Sequence, residues 1–242
     1  PFLILFSFLS CQNDSETTIQ EVDTYPAVLA AFGNTIDLTN LANYANQPVP
    51  TYILKDNTNG NTISDKVATL GRVLFYDKNL SSNNTISCSS CHQQINAFSD
   101  TSVSSSGVNG TTGRHSMRLI NTRFAAETKF FWDERALNLE TQTTMPIKDH
   151  GEMGFSGTNG DLPFSGLITK LSELDYYKEL FRFAYGSEEI TESKLQIALA
   201  QFIRSIQSFD SKYDAGRALA TNDVQPFTNF SAQEYQGKNL FL

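Results

Sequence analysis

The sequence predicts an all-α protein from two patterns and one absence. Apolar residues recur at helical spacing in several stretches, Gly and Ser clusters punctuate the chain between others, and no β-alternation of any length is present. The first helix is expected over 64–77, S-D-K-V-A-T-L-G-R-V-L-F-Y-D, with Ser64 as N-cap and Val67, Leu70 and Leu74 on one face. Leu167, Leu171, Leu174, Phe181 and Ala184 predict two short helices between 166 and 185, broken near Glu173-Leu174-Asp175. From 191 to 207, Leu195, Ala198, Leu199, Phe202, Ile203 and Ile206 form an i, i+3, i+4, i+7 stripe that reads as core rather than as a cofactor surface. Gly186 and Ser187 mark the turn before it.

Composition restricts the function classes. At 242 residues the chain is long enough to bury a core, and its net charge of -8 without a Lys/Arg cluster argues against nucleic acid or an anionic membrane surface as partner. Residues 1–10, P-F-L-I-L-F-S-F-L-S, are apolar but too few to span a bilayer, and the chain turns polar and acidic after Cys11. This reads as the end of an export signal. Ser10 before Cys11, with Leu9 one position earlier, resembles a bacterial lipoprotein processing site, at which Cys11 would be lipidated; the alternative is a plain secretory segment with an incidental cysteine. The expected location is periplasmic, with membrane contact only through a lipid anchor. Because it opens on Pro1 and lacks a basic leader, the chain is expected to be a fragment.

Of 3 cysteines and 3 histidines, two cysteines and one histidine fall within the five positions Cys88-Ser89-Ser90-Cys91-His92. Two thiols at this spacing can each add across a haem vinyl group, and the adjacent imidazole then falls under the iron as an axial ligand, so the motif reads as haem c attachment. A structural zinc site needs four ligands, and His115 and His150 lie at spacings unlike any zinc finger. Covalent haem attachment takes place outside the cytoplasm, in agreement with the export signal.

Further segments follow the motif: A-F-S-D (97–100), G-R-H-S-M-R-L-I-N (113–121), F-F-W-D-E-R-A (130–136), L-E-T-Q-T-T-M-P-I (139–147) and G-E-M-G (151–154). This succession, over roughly residues 64–242, resembles the bacterial di-haem cytochrome c peroxidase family, which includes the enzyme that matures a tryptophan-derived quinone in methylamine dehydrogenase. The resemblance implies cytochrome c-like haem domains and a site that splits hydrogen peroxide. It assigns His92 as the proximal iron ligand, Glu152 as general acid/base, Gln142 as the group orienting peroxide, and Trp132 as an aromatic conduit between two haems. Taken alone, Glu152 would be a capping or surface carboxylate, Gln142 a solvated helix residue and Trp132 a core residue. Arg135 could pair with a haem propionate, Asp133 or Glu140.

The sequence departs from the family pattern at several positions. Many members carry a histidine as sixth iron ligand in the loop that here reads Gly107-Val108-Asn109-Gly110, and asparagine is a poor iron ligand. His115 and Met117 are the nearby candidates for a sixth ligand; His115 also reads as a structural histidine. It stands where relatives have an asparagine that helps hold Ca2+ between domains, and calcium prefers oxygen ligands. Glu134 replaces a glycine of many members, and His150 is expected as a surface neighbour of Glu152.

The end of the chain echoes its first helix. Gly71-Arg72-Val73-Leu74-Phe75 returns as Gly237-Lys238-Asn239-Leu240-Phe241. The expected organisation is therefore a signal remnant over 1–11, a lead-in segment over 12–63, a complete N-terminal peroxidatic haem domain over 64–207, and from 208 the start of a second haem domain, truncated before its haem motif. The function expected is a periplasmic peroxidase that takes electrons from a small c-type cytochrome or cupredoxin through a second haem. The alternatives are a non-enzymatic electron carrier and an oxidase of a protein residue. Dimers are common among relatives, which implies a homodimer by analogy.

Overall fold

A computed structural model of the chain describes residues 24–58 and 60–242; Cys11 lies outside the described residues. Among them the structure is mostly helical, with one small hairpin. The helices are α1 (Pro26–Phe32), α2 (Asp65–Tyr76), α3 (Cys88–Cys91), α4 (Leu139–Thr144), α5 (Phe164–Ser172), α6 (Asp175–Tyr185), α7 (Glu192–Arg204), α8 (Lys212–Arg217) and α9 (Ala232–Phe241). The strands β1 (Ser106–Gly107) and β2 (Gly110–Thr111) pair antiparallel. The Gly- and Ser-rich stretch between Asp100 and Gly113 thus contains a hairpin of two residues per strand, too short to announce itself by alternation.

The predicted helices form where their signals stand. Ser64 caps α2 by accepting from the Val67 amide, 3.3 Å away. The break between α5 and α6 falls at Glu173 and Leu174, and Gly186 ends α6 with a left-handed φ of 70°. Val67, Leu70 and Leu74 of α2 bury with Leu195, Ala198, Leu199, Phe202 and Ile203 of α7 in one core. Gly71 sets how near α2 and α7 come, because a Cβ there would lie 2.0 Å from the Ala198 carbonyl oxygen.

The segment before Ser64 joins the same core. Pro26 starts α1 at its first turn, and Val28 is buried, with its amide donating to the Glu179 carboxylate of α6 at 2.9 Å. Ile36, Tyr44 and Ile63 are buried beside it. At its C-cap α2 is tied to α6 as well, since the Tyr176 and Tyr177 hydroxyls both donate to Asp77 Oδ2 at 2.8 Å. At the other end of the chain the echoed helix behaves differently. Leu74 is wholly buried in α2, whereas Leu240 of α9 is 84% exposed.

One polar network fastens α4 to this frame. The side chain of Arg204, only 4% exposed, ion-pairs with Glu140 of α4 and donates through Nε to Asn57 Oδ1 at 3.0 Å. Asn61 Nδ2 donates to Glu140 Oε1 at 2.7 Å, and Gln201 Nε2 donates to Asn61 Oδ1 at 2.8 Å. Burial alone would raise the Glu140 carboxyl, but the hydrogen bonds from Arg204 and Asn61 hold it below the usual range. Removing one member of a buried pair leaves the other charge poorly compensated. Arg204→Ala is therefore expected to destabilise the protein by about 3 kcal/mol in denaturant unfolding, and a change under about 1 kcal/mol would show the pair to behave like a surface one.

Candidate active site

The site begins with a single helical turn. Ser87 N-caps α3 in a capping box with Ser90, and α3 places Cys88, Cys91 and the following His92 around one apolar cavity. Phe75 of α2 and Leu199 and Ile203 of α7 form its wall. Both cysteines are free and half-buried; burial pushes the Cys88 thiol up to about 12, and the Cys91 thiol is also raised by burial. They are therefore neutral thiols, not thiolates poised for disulfide exchange.

His92 is oriented by the backbone. Ala97 and Phe98 both adopt left-handed φ values of 56°, which turn the chain so that the Phe98 carbonyl lies 3.0 Å from His92 Nδ1. Two successive non-glycine residues in this region are costly, and such strain is found where a site requires it. A protonated Nδ1 donating to this carbonyl makes Nε2 the nitrogen able to carry a lone pair, and the Met117 backbone also bonds to the ring. Burial lowers the His92 pKa, so the ring is neutral and able to ligate.

Glu152 and Gln142 line the same cavity as Cys88, Cys91 and His92. α4 carries Gln142, and the turn after α4 carries Glu152. Burial first, then the neighbouring Asp149 charge, push the Glu152 pKa up to about 7, opposed by Arg135. A carboxyl so placed holds or releases a proton near neutral pH. His150 does not act on it. Its Nδ1 lies 2.9 Å from Asp161 Oδ2.

The cavity continues into a cleft of about 910 Å3 that also reaches His115, Met117 and Trp132. Trp132 is 60% exposed at the tip of a loop closed by the Phe130–Ala136 bridge, and its Nε1–H donates to the His115 carbonyl at 2.9 Å. Glu134 in this loop has a φ of 56°, the region that glycine adopts most readily. Arg135 pairs with Asp133 at 2.8 Å rather than with Glu140, and its guanidinium lies 3.5 Å from the centre of the Phe131 ring. Both ring nitrogens of His115 have partners, Ser99 Oγ at 3.1 Å and the Ser102 carbonyl at 2.8 Å. In this arrangement neither is available to iron. Met117 is partly exposed in the cleft.

This set of residues fits haem c. It offers two neutral thiols one turn apart, an imidazole on the cavity with its Nδ1 anchored, an apolar wall, and a cleft at the upper end of cofactor-pocket sizes. Among the described residues, no group of three or more His, Cys, Asp or Glu side chains is arranged to hold a metal ion. The backbone groups that complete the site, the Phe98 carbonyl above all, carried no signal of their own in the sequence.

Keeping Glu152 in an apolar wall has a cost whose sign follows from its raised pKa. Below about pH 4.3 the carboxyl is neutral whether the chain is folded or not, and above pH 7 only the folded state must carry the charge out of water. Stability from this group is thus lost as pH rises between those values. Glu152→Gln is expected to be more stable than wild type at pH 8 by roughly 1–3 kcal/mol, with the difference gone at pH 4. Denaturant melts of the holoprotein at both pH values check this.

A family model described as di-haem cytochrome c peroxidase matches residues 65–222. The chain is 28% identical over 155 residues to methylamine utilization protein MauG of Methylophilus methylotrophus, covering 64% of this chain and 44% of that one. It is 30% identical over 200 residues to cytochrome c peroxidase Ccp of Escherichia coli K12, covering 81% of this chain and 37% of that one. A solved MauG-like protein associated with microbial copper homeostasis aligns with a TM-score of 0.67 at 30% identity, covering 81% of this chain and 55% of that structure. The chain spans less than half the length of the curated relatives it matches. The family match runs from the first residue of α2 through the C-x-x-C-H turn, Trp132, Gln142 and Glu152 to beyond α8, and on that extent the chain belongs to the di-haem cytochrome c peroxidase family.

Proposed function

We propose that this chain is the peroxide-reducing part of a periplasmic haem c peroxidase. Cys88 and Cys91 would tether the porphyrin and His92 would ligate its iron. Haem held there would supply a redox-active iron for peroxide chemistry. The observation that carries the reading is Glu152, a carboxyl raised to about 7 on the same cavity as the two thiols and the imidazole.

The protein's own residues do the proton work. Ionised Glu152 accepts the proton from the inner peroxide oxygen and returns it to the outer one, which departs as water. A pKa near 7 suits a group that must both take and give. The Gln142 amide orients peroxide from the same wall. On the proximal side, the Phe98 carbonyl raises the donor strength of His92 Nε2 through the hydrogen bond at Nδ1.

Reduction to two waters needs two protons from solvent and two electrons from outside. We assign the entry of the electrons to Trp132, which stands exposed at the cleft mouth. The source is a small c-type cytochrome or cupredoxin, acting through a second haem. The echo of α2 in α9 supports a second cytochrome c-like domain beginning near residue 208, where Leu240 would pack as Leu74 does here. Cys11 would anchor the protein to a bacterial membrane by lipid; no helix among the described residues is long and apolar enough to cross one. Engagement of both His115 nitrogens favours an iron open to peroxide over a six-coordinate electron carrier.

In the full-length, haem-loaded protein, Glu152→Gln is expected to lower peroxide turnover roughly 10²- to 10⁴-fold with haem loading unchanged. Wild-type kcat/KM should fall as pH drops below about 7, where the carboxyl is protonated and no longer accepts a proton. Steady-state kinetics with a reduced cytochrome check both. Unchanged turnover in Glu152→Gln removes this residue from the mechanism.

A further inference from the structure

The loop that carries Glu152 is gripped by a hairpin to which no role has yet been given. β1 and β2 pair Ser106 with Thr111 and Gly107 with Gly110, leaving Val108 and Asn109 at the tip. Two residues per strand is too little pairing to hold a hairpin in water by itself. The tip spends its donors on three successive carbonyls of the catalytic loop. The Asn109 side-chain amide donates to the His150 carbonyl at 2.9 Å, the Asn109 backbone N–H to the Gly151 carbonyl at 3.2 Å, and the Val108 N–H to the Glu152 carbonyl at 3.0 Å. Below the tip, a Cβ on Gly107 would lie 2.0 Å from the Gly151 carbonyl oxygen, so only glycine allows this approach.

The opposite side of the loop is fixed too. Asp149 Oδ1 accepts from the Gly151 and Glu152 amides at 2.8 and 3.0 Å, and the next residue, Met153, is buried with its carbonyl accepting from the Ser82 amide at 2.9 Å. The peptide groups flanking the Glu152 Cα are therefore held from both sides, which fixes the direction in which its side chain leaves the backbone.

We propose that Gly107 and Asn109 are positioning residues for Glu152: the hairpin tip clamps the 150–152 backbone and thereby keeps the carboxyl on the cavity wall. The inference rests on the reading of Glu152 as proton carrier for its effect on turnover, but not for its effect on the carboxyl's position. The charged groups acting on that carboxyl are Asp149 and Arg135, while His150 is turned to Asp161. Neither Asp149 nor Arg135 is altered by a change at 107 or 109, while the Asn109 amide also lies 3.5 Å from His150 Nδ1.

The test uses full-length haem-loaded protein with Asn109→Ala and Gly107→Ala, and two readouts: steady-state kcat/KM across pH, and infrared titration of the Glu152 carboxyl, with Glu152→Gln identifying the band. Asn109→Ala loses the exposed bond to the His150 carbonyl and the longer contact with His150 Nδ1, so a fall in kcat/KM of about 3- to 10-fold is expected, and Gly107→Ala should fall further. In both, the carboxyl midpoint should move down from about 7 towards the ordinary glutamate range as the group swings into water. If Gly107→Ala does not fold, Asn109→Ala decides. A wild-type midpoint in folded Asn109→Ala, with or without loss of turnover, overturns the clamp. A shifted midpoint with turnover insensitive to Glu152→Gln leaves the clamp standing and instead refutes the proton-carrier reading.

Discussion

Two thiols and an imidazole within five residues can face one cofactor only if the chain makes a single helical turn against an apolar wall. That requirement organises the molecule. α3 is the turn, and Ser87 and Ser90 satisfy its exposed amides so that so short a helix can stand. The wall comes from the long helices α2 and α7, whose close crossing at Gly71 and Ala198 brings Phe75, Leu199 and Ile203 to the cavity. The left-handed residues at 97 and 98 then fold the chain back to anchor the imidazole. Strain at that bend is held by the packing around it, as Phe98 also stacks edge-on against Phe75, with ring centres 6.1 Å apart.

Function and stability pull against each other at Glu152. The same burial that brings its pKa near neutral makes its charge unfavourable in the folded state. The protein answers with backbone rather than with a counter-charge. A hairpin on one side and Asp149 on the other hold the loop, and Arg135, the nearest compensating cation, is largely committed to Asp133 and the Phe131 ring. A stronger ion pair at Glu152 would stabilise the fold and lower the pKa that proton transfer needs.

Much of this was legible in the sequence. Apolar stripes placed α2, α5, α6 and α7 because those helices bury one face each, and the C-x-x-C-H spacing located the cofactor because covalent chemistry fixes it. α1 went unread, since seven residues with one buried side chain leave no stripe. The roles of the Phe98 carbonyl and of Gly107 were invisible because they belong to backbone groups whose partners are distant in sequence. Asn109 stood out as a departure from the family pattern, but only the fold shows that its amide meets the His150 carbonyl. Glu134 is the reverse case: the departure from glycine was visible, and its left-handed φ gives the reason glycine suits the position. Of the two candidates for a sixth iron ligand, His115 has its ring held by Ser99 and Ser102, and Met117 lines the cleft.

The whole account depends on porphyrin being carried by Cys88 and Cys91. The most direct measurement is the intact mass of the protein exported from a host that loads haem, read together with the alkylation of its thiols. The account predicts the polypeptide mass plus haem, with both sulfurs closed to alkylation. A bare polypeptide whose Cys88 and Cys91 both alkylate would contradict it.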